Sequence, residues 1–208
     1  MSFTRPSEQV AILKDSDVTH DSLLKACVGK TAVDLRHITT TEPLEIPIDL
    51  SAIDSVMNSL TLCNDDFEQA ELHPNYARFE HTDITDLIVG SYVVCDIIDS
   101  SSVQRLKVFG ETFVKFDAYV HSLDVTPVGR VTILGCDVDC LDVTGTVILS
   151  HCNVNTMNLR AGGRVYLYDT KIKCSAYCNR PAITGKLKLN DPFVMNLLAM
   201  SEFEYLYG

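Results

Sequence analysis

Three carboxylates, Asp137, Asp139 and Asp142, fall within the stretch CDVDCLDV (136–143). Two carboxylates at a set separation can cleave a glycosidic bond, and clustered acids also suit calcium. Sixteen residues on, CNVNTMNL (152–159) keeps the apolar positions but carries Asn153, Asn155 and Asn158 in place of those acids. A catalytic pair has no use for an amide copy of itself, whereas a stacked repeat does. The chain also has no Trp to serve as an indole platform for a sugar.

Other constellations are thinner. Cys136–Cys140 and Cys174–Cys178 have C-x3-C spacing, which zinc sites do not favour. HTDITD (81–86) offers one His and two Asp, and reads as a solvated edge. His121 and His151 have no Ser or Cys beside them in a recognisable nucleophile setting. There is no phosphate-binding glycine loop and no dinucleotide fingerprint. The expectation is therefore a non-enzymatic chain, with no cofactor, no metal and no small-molecule ligand. A carbohydrate-acting β-helix enzyme built on the Asp cluster is the alternative.

Composition narrows the partners. A formal charge of −11 over 208 residues disfavours general binding to nucleic acid or anionic membranes. No apolar run is long enough to span a bilayer. The first residues, MSFTRPSEQVAILKDSD, lack the basic flank and apolar core of a signal peptide. Eight Cys at irregular spacing then read as reduced thiols, which predicts a cytoplasmic protein, or a host-cytoplasmic or particle-associated one if viral. Residues 160–188 reverse the overall sign, with seven Lys and Arg against Asp169 alone. Arg160, Arg164, Lys171, Lys173, Lys186 and Lys188 are thus the candidate contacts for an acidic protein partner or for self-association.

The elements that would position these residues follow from the repeat. FVKFDAYVHSLDV (113–125), VTILGCDVDCLDV (131–143), VILSHCNVNTMNL (147–159) and VYLYDTKIKCSAY (165–177) align, beginning 18, 16 and 18 residues apart. A shorter apolar-x-x-apolar-x-apolar core extends the series upstream through Ile84, Leu87, Val89 and Val103, Leu106, Val108. Apolar residues recur at every second position within short runs rich in Val, Ile and Thr, and each copy closes on a glycine. Three short alternating segments per copy, separated by corners, predict one turn of a parallel β-solenoid. A β-sandwich also uses short strands, but it does not require one side-chain class at one phase of every copy.

Stacking explains the change from acid to amide. Equivalent positions on successive turns lie about 4.8 Å apart, where Asp over Asp is destabilising. The predicted outward columns run Tyr119, Asp137, Asn153, Lys171 and His121, Asp139, Asn155, Lys173, from acid through amide to base. In a third, Asp124 and Asp142 do stack, followed by Asn158. An inward column of small residues, Ala118, Cys136, Cys152 and Thr170, marks a tight corner with free thiols.

The expected architecture is mainly β: a solenoid of five to six turns of 16–20 residues over 81–189. Residues 1–80 read as an N-terminal cap or partner-binding segment, with a helix from Asp21 to Gly29 and a short helix from Ser51. Asp191, Pro192 and the apolar spacing beyond them predict a C-terminal capping helix over 190–208. In this repeat form, residues 84–189 resemble the β-solenoids of bactofilin scaffolds and solenoid modules of viral and phage particles. The resemblance implies a structural or assembly role through protein contacts. Bactofilin-type chains carry flexible tails where this chain is expected to carry caps, which favours a discrete particle subunit over a polymerising scaffold.

Overall fold

The computed structural model describes residues 10–15, 17–64, 74–160, 162–172 and 187–188. The predicted C-terminal capping helix, Lys173, Lys186, Cys174 and Cys178 lie outside them. Two parallel sheets enclose one core. Sheet A holds ten strands: β1 (Val10–Lys14), β2 (Ala32–Arg36), β4 (Asp49–Ile53), β6 (Asn75–Glu80) and β8 (Val93–Ile98). It continues through β10 (Glu111–Lys115), β12 (Arg130–Leu134), β14 (Thr146–Ser150), β16 (Arg164–Tyr168) and β18 (Leu187–Lys188). Sheet B holds eight: β3 (Thr39–Ile46), β5 (Val56–Leu62), β7 (Asp83–Val89) and β9 (Ser102–Val108). Its others are β11 (Tyr119–Val125), β13 (Asp137–Val143), β15 (Asn153–Leu159) and β17 (Lys171–Ile172). From β2 onward consecutive strands alternate between the sheets, so the chain winds as a parallel β-solenoid of about eight turns.

The winding reaches further upstream than the expected five to six turns. Strands β2 to β5, within the segment read as a cap, pair in register with the rest, and the short helix expected from Ser51 is instead the strands β4 and β5. The N-terminal helix α1 (His20–Cys27) does form. Thr19 caps it, accepting from the Ser22 amide at 3.2 Å, while the Thr19 amide donates to Ser22 Oγ at 3.0 Å. Helix α1 stands between β1 and β2 where later turns place a sheet B strand, and its Leu23, 1% exposed, closes the first end of the core.

In the sheet B strands β5 to β15 the alternation breaks where two neighbouring side chains both leave the core. In β13, Val138, Leu141 and Val143 point in, while Asp139 and Cys140 together turn out. That break makes the three segments per turn expected from sequence. The passage from sheet A to sheet B is a corner in left-handed backbone conformation: His37, Asp54, His81, Asp117, Gly135, His151 and Asp169 all have φ between 43° and 65°. Asp and His tolerate this region better than most residues, and glycine tolerates it freely. After each comes a buried residue, usually small. Ser55, Thr82, Cys136, Cys152 and Thr170 donate to the carbonyl two residues back, at 2.8 to 3.1 Å. Small polar side chains thus stitch the corner from within.

The opposite corner depends on glycine. A Cβ on Gly145 would lie 2.2 Å from the Thr126 carbonyl oxygen and 2.4 Å from that of Gly129, so consecutive turns touch backbone to backbone there.

One aligned position is corrected. The repeat alignment sets Phe113 against Val131, but the register pairs Thr112 with Val131 and Phe113 with Thr132. The turn after β10 uses two left-handed residues, Phe116 and Asp117, where the next turn uses Gly135 alone. The extra corner residue shifts β10 by one, turning Thr112 into the core and Phe113 outward.

Candidate functional site

The three acids of 136–143 lie on the outer face of sheet B. Each is met from the next turn by the Asn that replaces it: Asn153 Nδ2 donates to Asp137 at 2.8 Å, Asn155 Nδ2 to Asp139 at 2.5 Å and Asn158 Nδ2 to Asp142 at 3.3 Å. Lys171 follows Asn153 in register, which completes the described part of that column. From the preceding turn, the Tyr119 hydroxyl donates to Asp139, and His121 Nδ1 lies 2.8 Å from the same carboxylate. The Tyr119 hydroxyl, with His121 and Asn155 behind it, holds the Asp139 carboxyl below the usual range; in return the phenol is pushed up to about 12.

The stacked acids Asp124 and Asp142 are bracketed by cations. Lys107 Nζ stands 3.8 Å from Asp124, and Arg160 Nε donates to Asp142 at 2.7 Å with its Nη2 on the second oxygen. Asp124, Asp142, Asn158 and Arg160 line a groove of about 450 Å³ together with Ser122, Cys140 and Thr156. Both of its acids have a cationic partner within the chain.

The remaining sequence candidates separate. Of HTDITD, Asp86 is bound by Arg105, and His81 stands at the corner 3.6 Å from Asp54. Cys136 is buried and Cys140 exposed, on opposite sides of the wall. Burial raises the Cys136 thiol to about 12, and Cys136 and Cys152 are both free thiols. Among the described residues, no three His, Cys, Asp or Glu side chains are placed to hold a metal ion. The described basic candidates are divided between the two sheets. Arg160 is committed to Asp142; Lys171 belongs to sheet B, whereas Arg164 and Lys188 begin and end strands of sheet A.

The outer face of sheet A carries what the sequence reading missed. In β10 to β16, one outward column runs Phe113, Thr132, Ile148, Tyr166. Leu134 and Tyr168, 40% and 42% exposed, lie in a second, mixed column, Lys115, Leu134, Ser150, Tyr168. The signal was available as the two-residue alternation within each strand, but the slipped alignment placed Phe113 inside. Among the described residues, no helix is long and apolar enough to cross a membrane. Set against protein families, curated proteins and solved structures, the chain matches none of them.

Proposed function

We propose that this chain is a non-enzymatic assembly protein that binds other proteins through the outer faces of its solenoid, as a discrete subunit of a larger particle. The observation that carries the reading is the sheet B ladder. The one carboxylate cluster able to suggest catalysis is spent on Asn and Arg partners within the chain. Among the described residues the coil presents two broad sheet faces, which supports contact with other proteins. Helix α1 over the first turn favours a unit with a closed end, since an open strand edge is what end-to-end growth would use.

Cross-linking in the native source, read by mass spectrometry, tests this. Cross-links from residues of the solenoid faces to other polypeptide chains are expected, and a chain cross-linked to none overturns the reading. Asp137→Asn, Asp139→Asn and Asp142→Asn combined should leave those cross-links intact. A polysaccharide-cleaving activity that the triple variant abolishes would establish the enzyme instead.

A further inference from the structure

We infer that the outer face of β10 to β16 is a two-fold interface with a second copy of this chain. The inference rests on the assembly reading and names one partner and one surface for it. Outer sheet faces exposed to water ordinarily carry polar side chains, and a contiguous apolar stretch marks a contact. On sheet A the contrast falls within one face. The earlier strands answer their outward charges locally, through Asp34 with Arg36 at 2.7 Å and Arg78 with Glu80 at 3.1 Å. From β10 onward the central column is Phe113, Thr132, Ile148, Tyr166 instead.

Self-complementarity selects the occupant. Place a two-fold axis along the strand direction, midway between β12 and β14. It sets β10 over β16 of the partner and β12 over β14, with each position along a strand preserved. Phe113 then faces Tyr166, and Thr132 faces Ile148. Glu111 and Arg164, the first residues of β10 and β16, face each other, and do so twice by symmetry. Both are exposed, and neither has an ion-pair partner within 4 Å in its own chain among the described residues; Arg130 stands in register beside Glu111, and Thr146 beside Arg164. An unrelated partner would have no reason to find an acid and a base equidistant from the midline of this face. A second copy in this orientation meets both.

The size of the face sets the expected strength. Four strands at about 4.8 Å spacing, five residues long at about 3.3 Å each, give a planar footprint of about 300 Å² per copy. At about 600 Å² for the pair, that lies below the roughly 1,200–2,000 Å² of standard stable interfaces, so the dimer should be weak, dissociating at about 0.1–1 mM.

Light scattering after size exclusion, on the full chain from about 1 µM to about 1 mM, tests the pairing. The mass should rise with concentration from the 23.1 kDa monomer toward twice that value. Glu111→Arg alone and Arg164→Glu alone each put like charges together at two places, and each should weaken the dimer roughly tenfold or more. The double variant Glu111→Arg with Arg164→Glu restores opposite charges and should restore the dimer, which a variant that merely misfolds cannot do. A wild type that stays monomeric throughout overturns the inference, as does a dimer indifferent to the single changes or a double variant that does not recover. None of those results bears on whether the chain cross-links to other polypeptides, so the assembly reading stands or falls separately.

Discussion

The outer faces of the two sheets are built on one coil and in one register, yet they finish their chemistry differently. On sheet B, acids, amides and bases succeed one another turn by turn, and Asp86, Asp124, Asp139 and Asp142 each meet a partner 16 to 19 residues away in the same chain. On the later half of sheet A, Glu111 and Arg164 end a column that runs through Arg130 and Thr146, and beside it run Phe113, Thr132, Ile148 and Tyr166. The lesson is that stacking amplifies whatever a column carries. A column of alternating charge seals itself, and a column of apolar residues becomes a continuous surface that water covers poorly.

The largest effect should come from the frame the faces share. Gly145→Val puts a branched side chain where the backbone oxygens of Thr126 and Gly129 lie within 2.4 Å of a Cβ, so the turns must part. A loss of about 3 kcal/mol or more is expected in urea unfolding followed by circular dichroism, with both faces failing together. A change that left stability within about 0.5 kcal/mol would mean that the turns do not touch at that corner.

The comparison itself is tested by one outward substitution on each face. Asn155→Asp sets a carboxylate over Asp139 and removes its amide donor. A destabilisation of about 1 kcal/mol is expected at neutral pH, shrinking as acid neutralises the pair. Ile148→Asn, outward on sheet A, should leave the unfolding of the monomer within about 0.5 kcal/mol of wild type while weakening the dimer. Equal stability losses at both sites would erase the distinction between a sealed face and an open one.

How much of this was legible in the sequence depended on whether the repeat kept its frame. From residue 84 onward the inward positions recur every 16 to 19 residues, so the coil, the Asp–Asn ladder and the small-residue corner could all be read. Earlier turns were hidden by interruptions. Pro43 lies at a register shift between β3 and β5, and Asp54 and His81 occupy equivalent corners 27 positions apart. A periodic search loses count there, although Val33, Leu35, Leu50 and Ala52 are buried as in later turns. The sheet A face was missed for a smaller reason, the extra corner residue at 116–117, which reverses inside and outside for one strand. Of the basic run at 160–188, Lys171 falls in sheet B and Arg164 and Lys188 in sheet A, because successive segments of a solenoid go to different sheets.

Acid titration sharpens the account of the sealed face. The folded-state carboxyl of Asp139 is held below its unfolded value, chiefly by the Tyr119 hydroxyl. Its contribution is therefore present above the unfolded carboxylate range and is lost as pH falls through the folded value. Wild type should be more stable than Asp139→Asn at pH 7, and the two unfolding curves should converge as pH falls through the lowered range of the folded carboxyl. A difference that stayed constant with pH would show that the carboxylate's charge is not what the ladder uses.

The smallest expected effect lies in the turn where the alignment slipped. The extra residue at that corner forces Thr112 into the core, where its Oγ1 is buried without a hydrogen-bond partner. Its neighbours in the inward column are Cys95 before it and Val131, Val147 and Val165 after it. Valine matches threonine in shape and removes the unsatisfied hydroxyl, so Thr112→Val should stabilise the chain by about 0.5–1 kcal/mol. Thermal or urea unfolding resolves a gain of that size, and a loss would mean that the hydroxyl is engaged. The same substitution leaves Phe113 facing out, so it should raise stability without moving the monomer–dimer equilibrium. Stability and association separate here because one strand carries the core on one side and the contact on the other.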